Sequence, residues 1–440
     1  MVDLAEAPPV ISAARAGDPE LTPARVRVAT VCMIGVALGT TVLSFCAVDA
    51  VRGPMMLELG WGANQLSLSY ALMLWAAAIG VWPVGVLIDR YGPRPVVTLG
   101  AVASGLVSLA MPFVSHYWQS CALFSLLGLF GSVGLGYSKI IVTLFARRRG
   151  LALGIAAAAT SALGWIFPLA AGRIVNASEW RGAFEILGVV VLAVAPLLYF
   201  GLAPMNGEAA PALRPDPAVE GLKTSEAART RAFWLIMLAG LVSGIVGNVV
   251  LSTIGPTLAH RGFGDAADLR GAPIGMLATL AGPICAGLLL DRFRTPAVAF
   301  AAYIASALTS VIWCVVSPGF GGTPLLMATF ALGAFAFSAQ LPMVGYLFSR
   351  YFGLRSFATI WGLQMSIQAV VTGATALPIA RLVDAAASEP LVFALGTTAP
   401  LVAAGLYLLL PAYRYGTSRE PGLAGRSPSS IRTWWSRAPS

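Results

Sequence analysis

The chain has 440 residues, 58% of them hydrophobic and only 11% charged, with a net charge of +9 and a mean hydropathy of +0.80. A soluble domain carries about 25% charged residues, so a water-facing surface is excluded and most of the exterior must face lipid. The basic excess is no signal for nucleic acid, because the arginines stand in short runs between apolar stretches and not in one patch.

Residues 1–27 hold Asp3, Glu6, Asp18 and Glu20 and lack a basic start followed by an apolar core. They read as a disordered cytoplasmic tail and not as a cleavable signal peptide. Twelve apolar stretches follow, each near the ~20 residues that a bilayer core requires. They are expected at 28–50, 66–88, 95–114, 119–145, 151–175, 184–203, 232–258, 272–290, 297–317, 324–348, 357–382 and 391–412. The one long polar stretch, 204–231, is rich in Pro, Ala and charge and is expected to be a flexible cytoplasmic linker. It divides an N-terminal six-helix bundle, 28–203, from a C-terminal one, 232–412. Residues 413–440 form a second cytoplasmic tail with Trp434 and Trp435 near its end.

Orientation follows from the positive charges. With the first tail inside, 21 of the 28 Lys and Arg residues fall on the cytoplasmic side and six on the outer side: Arg52, Arg173, Arg181, Arg261, Arg270 and Arg381. That asymmetry places both termini in the cytoplasm. Lys139 belongs to neither side. The five cysteines, Cys32, Cys46, Cys121, Cys285 and Cys314, lie in or beside apolar runs without metal-ligand spacing and read as small hydrophobes.

Two motifs recur at a half-chain offset. Gly85-Val-Leu-Ile-Asp89-Arg90-Tyr-Gly92-Pro-Arg94, between the second and third stretches, is echoed by Gly287-Leu-Leu-Leu-Asp291-Arg292-Phe-Arg294. Leu144-Phe-Ala-Arg147-Arg148-Arg149-Gly150-Leu151 is echoed by Leu347-Phe-Ser-Arg350-Tyr-Phe-Gly353-Leu354. Repeats at that spacing mean a duplicated unit, two halves related by an axis along the membrane normal. The first motif resembles the loop 2–3 signature of the major facilitator superfamily, and its weaker copy falls where that family has loop 8–9. The resemblance covers roughly residues 28–412. It implies an all-α membrane protein: twelve transmembrane helices in two pseudo-symmetric six-helix bundles, working by alternating access. It further implies that Gly85, Asp89, Arg90, Gly92, Arg94, Asp291 and Arg292 are gating elements, bracing one state and releasing in the other.

Within the superfamily the chain looks similar to the monocarboxylate transporter and oxalate–formate exchanger branch. The carrying segments are Gly53–Trp61, Arg149–Gly154, Phe233-Trp234, Gly287–Arg292 and Arg350–Ser356. The branch implies secondary-active transport of a small organic acid, with protons, across a bacterial inner membrane by a monomer. Two departures stand against it. Members commonly place an arginine after a glycine in the eighth helix, where this chain has Gly282-Pro283; related bacterial members often carry an acid where this chain has Gln340. They open an alternative, export of a neutral or amphipathic compound.

Single residues sharpen this expectation. Lys139 lies seven positions before Ala146, roughly 10 Å inside the cytoplasmic boundary at 1.5 Å per residue. An amine there costs about 2.5–3.5 kcal/mol unless it meets water or a partner. It reads as an anion-binding or proton-linked ammonium sharing a face with Ser132, Gly136 and Thr143, or as a snorkelling side chain. Asp49 is the candidate proton site, with an ion pair to Arg52 as the alternative. Trp361, Gln364, Gln368, Thr372 and Thr375 share one face of the eleventh helix, where amides facing lipid would go unsatisfied; they read as substrate contacts or as helix–helix bonds. Asn248, Gln340 and Tyr346 complete the expected substrate set. No P-loop, hydrolase constellation or metal cluster occurs, so no enzyme activity, cofactor, metal or nucleic-acid partner is expected. A ligand sensor would need a larger soluble domain than the tails and 204–231 supply. A membrane enzyme would need its groups in one cavity, and Lys139 and Asp49 are expected near opposite faces.

Overall fold

The computed structural model describes residues 22–38, 51, 53–174, 180–202, 221–244, 266–293, 295–315, 322–386, 389–411 and 413. Among them the chain is nearly all helix, and part of every apolar stretch is helical. The helices are α1 (Pro23–Ala37), α2 (Ala63–Tyr91), α3 (Pro93–Ala110), α4 (Tyr117–Leu144), α5 (Arg149–Ile174) and α6 (Trp180–Gly201). After them come α7 (Arg231–Gly244), α8 (Ala266–Phe293), α9 (Ala297–Val315), α10 (Gly322–Tyr351), α11 (Phe357–Ala386) and α12 (Glu389–Leu408). Six helical segments among the described residues are long and apolar enough to cross a membrane. Their outward faces stay apolar: Leu99 and Phe200 are each 68% exposed, which suits lipid as the solvent.

Three local features differ from the expected spans. The first helix begins at Pro23, because Thr22 caps it through an Arg25 N–H to Thr22 Oγ1 bond of 3.4 Å and proline suits the first helical position. Arg25 and Arg27 therefore lie in the helix and not in the tail. The expected loop of the first motif shrinks to one residue, Gly92, at φ 86° and ψ 157°, a region open essentially only to glycine. α2 runs through Tyr91 and α3 starts at Pro93. The fourth helix is interrupted by a turn at Ser132 and Val133, where the Ser132 hydroxyl donates to Ala77 O at 3.1 Å and to Gly128 O at 3.0 Å.

The packing repeats with the duplication. α2 lies along α4 and α3 along α6; correspondingly α8 lies along α10 and α9 along α12. Small residues permit these crossings. A Cβ on Gly128 of α4 would come 2.1 Å from Met73 O of α2, and one on Gly282 of α8 would come 2.3 Å from Phe335 O of α10. Two further crossings join the halves, α2 with α11 and α5 with α8. The described end of the expected linker is structured. Gly221 bridges Gly353, Leu222 N–H donates to Phe352 O at 2.8 Å, and one turn of helix, Thr224–Ala227, buries Ala227 completely.

Candidate functional site

α2 ends with Asp89 in its last turn, and Gly85 stands one turn earlier on the same face. Gly85 brings α2 against the start of α11: a Cβ there would meet Ala358 O at 2.4 Å. The Asp89 carboxylate then reaches the α11 N-terminus. Thr359 donates to Oδ2 through its N–H at 2.7 Å and its hydroxyl at 2.6 Å, and Ala358 N–H reaches Oδ1 at 3.4 Å. The first N–H groups of a helix lack internal acceptors and carry the positive end of the dipole, so a carboxylate is well matched to this position.

The second motif makes the mirror connection. Asp291, in the last turn of α8, accepts Gly150 N–H at Oδ1 and Leu151 N–H at Oδ2, both at 2.8 Å. Those two amides open α5. Gly287 takes the place of Gly85: a Cβ on it would lie 2.2 Å from Gly150 O, and one on Gly150 would lie 2.4 Å from Gly287 O. Each Asp thus holds the second and third amides of a helix in the opposite half. Both connections lie at the same end of the molecule and keep the two halves together there.

Lys139 joins this arrangement. Its ammonium donates to Asp89 Oδ1 at 2.6 Å, with both side chains about nine-tenths buried. A buried charge needs a partner, and Asp89 supplies it. Tyr346 is also placed here. It is fully buried, its hydroxyl donates to Leu290 O at 3.2 Å, and the Arg350 guanidinium lies 4.9 Å from its ring centre. Arg350 spans the halves as well, donating to Ala146 O at 3.4 Å. Of the remaining motif residues, Arg94 donates to Tyr199 O at 2.9 Å and lies over the Tyr199 ring, tying α3 to the last turn of α6. Arg90 stacks beside Tyr91 at 5.4 Å, and Arg292 is exposed in the last turn of α8.

Above this closed layer the α11 polar face meets α7. Gln364 Nε2 donates to Gln368 Oε1 at 2.7 Å, and Gln368 Nε2 donates to Gly240 O at 3.0 Å. Gly240 and Gly244 leave room for these amides, since a Cβ at either would come within 3.0 Å of a glutamine side chain. Trp361 sits lower on α11, its ring against Gly345 and edge-on to Phe357 at 5.4 Å. Gln340 bonds Ser306 of α9 at 3.4 Å, which places it between helices of the C-terminal half. Asn248 and Asp49 lie outside the described residues. Thr359, which makes two of the Asp89 bonds, was not singled out by sequence reasoning; its place in the third position of a helix following the Arg350–Ser356 segment was the available signal.

At the opposite end, Glu58 accepts hydrogen bonds from Trp180 Nε1, at 2.5 Å, and from Arg181, whose Nε also donates to Pro112 O at 2.8 Å. The Arg181 hydrogen bond holds the Glu58 carboxyl below its ordinary range. Among the described residues no group of three or more His, Cys, Asp or Glu could hold a metal.

The profile of the Major Facilitator Superfamily matches residues 29–376. Among curated proteins, the chain is 29% identical over 179 residues to the uncharacterized MFS-type transporter YcxA of Bacillus subtilis, covering 40% of this chain and 41% of that protein. It is 28% identical over 301 residues to human monocarboxylate transporter 11, covering 66% of this chain and 62% of that one. Over 206 residues, 44% of this chain and 47% of the other, it is 26% identical to a probable 4-methylmuconolactone transporter of Cupriavidus pinatubonensis. The chain therefore spans about two fifths to three fifths of the length of these relatives. Among solved structures, the transporter FucP in its outward conformation superposes with a TM-score of 0.68 at 14% identity, covering 89% of this chain and 99% of FucP. The human organic anion transporter MFSD10 gives a TM-score of 0.66 at 14% identity, covering 88% of this chain and 99% of its own.

Proposed function

Because the chain belongs to the Major Facilitator Superfamily, we propose that this multi-pass membrane transporter moves a small organic acid, coupled to protons, by alternating access. The observation that carries the mechanism is the pair of carboxylate-to-helix latches, Asp89 on α11 and Asp291 on α5. Such bonds exist only while the two halves touch at this end. Opening it requires both latches to break, so they contribute to the energy difference between the closed and open states. Lys139 then serves the latch: it neutralises Asp89 and bridges α4 to α2 while α2 grips α11. The similarity to monocarboxylate transporter 11 supports the substrate class. Asp49 is the proton-site candidate, and Asn248, Gln340, Gln364 and Gln368 are the candidate substrate contacts. The halves are 28–203 and 232–412, both termini lie in the cytoplasm of a bacterial inner membrane, and the working unit is a monomer.

Export of a neutral or amphipathic compound is the second reading. It is favoured by Pro283, whose carbonyl would lie 2.3 Å from a Cβ on Gly154, where relatives are expected to carry a cation, and by the engagement of Lys139 with Asp89. A partial similarity to the Fujikurins efflux protein of Gibberella fujikuroi, 34% identical over 118 residues, a quarter of each chain, also favours it. Uptake of labelled mono- and dicarboxylates into proteoliposomes, with and without an inward proton gradient, separates the two. Gradient-driven uptake of an acid supports the first reading. Folded protein that moves none of the acids, while exporting an amphipathic probe, overturns it in favour of the second.

A further inference from the structure

Among the described residues of α11, Trp361 Nε1 and Gln364 Oε1 are buried polar atoms with no hydrogen-bond partner. Trp361 is 3% exposed and Gln364 2%. Buried polar atoms are nearly always paired, so each such exception calls for a reason. Their identities as donor and acceptor are fixed by chemistry. The indole N–H can only donate. The orientation of Gln364 follows from the main chain. Gly240 O can only accept, so Gln368 must turn its Nε2 toward it and its Oε1 toward Gln364. Gln364 must then give its Nε2 to Gln368, which leaves Oε1 as the open acceptor. Residues three apart on a helix share a face, so one donor and one acceptor are carried on the same face of α11, about one turn apart.

We propose that Trp361 and Gln364 bind the carboxyl group of the transported acid in its undissociated form, a deepening that rests on the organic-acid reading above. A –COOH group offers a carbonyl oxygen to the Trp361 N–H and an O–H to Gln364 Oε1, satisfying both atoms. A carboxylate has only acceptors and would set one of them against Gln364 Oε1. Two cationic positions do not serve such a carboxylate: Lys139 is bonded to Asp89, and position 283 is proline. The proton then crosses on the substrate itself. With the latches engaged the two atoms are sealed, and the ligand meets them as the halves part around it. The rigid seat of Trp361 on Gly345, with Phe357 at its edge, holds the indole N–H in place for this contact.

The test uses counterflow in proteoliposomes without a proton gradient, following whichever labelled acid of the carboxylate panel is moved best. Its primary carboxamide carries the same carbonyl and donor at every pH; its methyl ester lacks the donor. Near neutral pH the carboxamide should compete about tenfold better than the ester, the worth of one hydrogen bond. The half-saturating concentration of the acid should rise about tenfold per pH unit above its own pKa. Trp361→Phe and Gln364→Leu should each weaken carboxamide competition about tenfold. The carboxamide measurement on the unaltered protein decides the matter even where a variant fails to fold. A carboxamide that does not compete, with half-saturation independent of pH, would overturn undissociated recognition and leave organic-acid transport standing. An absence of acid transport in folded protein would overturn both.

Discussion

Thr359 gives both its backbone N–H and its hydroxyl to one carboxylate oxygen of Asp89, at 2.7 and 2.6 Å, across 270 residues of sequence. The same oxygen-to-helix relationship recurs between Asp291 and Leu151. Each half therefore supplies one carboxylate and one helix N-terminus, and the arrangement is reciprocal.

Replacing one member of the Asp89–Lys139 pair should loosen the closed end. Asp89→Asn leaves the Lys139 ammonium buried without its counter-charge, a loss of about 3 kcal/mol for a buried pair. Leu153, 3% exposed on α5, is a suitable reporter. In a cysteine-free background, Leu153→Cys should react with a maleimide at least about tenfold faster when Asp89→Asn is added. The combination of Asp89→Asn with Lys139→Met should be closer to the parent than Asp89→Asn alone, because no orphaned charge remains. Equal labelling in all backgrounds would show that the pair does not hold the end closed.

The glycine crossings make a steric prediction. Gly287→Ala puts a methyl group 2.2 Å from a backbone carbonyl, and Gly85→Ala puts one 2.4 Å from another. Neither backbone can step aside without parting the helices, so both variants should lose at least about tenfold in initial transport rate. Gly405→Ala in α12, with nothing within 4 Å of the new methyl, should transport like the parent. Similar rates in all three would remove the close-approach account.

Glu58 makes a pH prediction at the other end. Its carboxyl is held below its ordinary value of 4.5, chiefly by the Arg181 hydrogen bond. A lowered folded-state value means that the contribution to stability is fully present above about pH 4.5 and fades as pH falls through the lower folded value. Melting profiles in detergent should show the parent more stable than Glu58→Gln near neutral pH, with the two curves converging in acid. A constant difference across that range would count against the carboxylate as its source.

Gly353 makes a backbone prediction. Its φ of 75° lies where a side chain costs about 1–2 kcal/mol, and it holds the bridge to Gly221 just ahead of α11. Gly353→Val should lower the melting temperature and also raise maleimide labelling of Leu153→Cys, since the loop it strains leads directly into the helix that Asp89 grips. A lower melting temperature with unchanged labelling would separate the loop from the latch.

By itself, the sequence determined the solvent, the repeat and the family resemblance, because these rest on local quantities. Runs of apolar residues record lipid exposure wherever they fold, and Gly85-x-x-x-Asp89 and Gly287-x-x-x-Asp291 record a duplication without any three-dimensional knowledge. That another helix comes close to Asp89 and Asp291 was legible too, because a glycine stands one turn before each. Which helix comes close was not legible. Each Asp motif pairs with a segment of the opposite half, and only tertiary packing brings Thr359 to Asp89 and Leu151 to Asp291. Lys139 shows the same limit. Its depth in an apolar stretch announced a need for a partner, but the ammonium's energy depends on what stands within about 4 Å, and that neighbour lies 50 residues away in sequence. The face of Gln364 and Gln368 was visible as a helical spacing, whereas the direction of its hydrogen bonds was decided by a single backbone carbonyl, Gly240 O, that no side-chain pattern encodes.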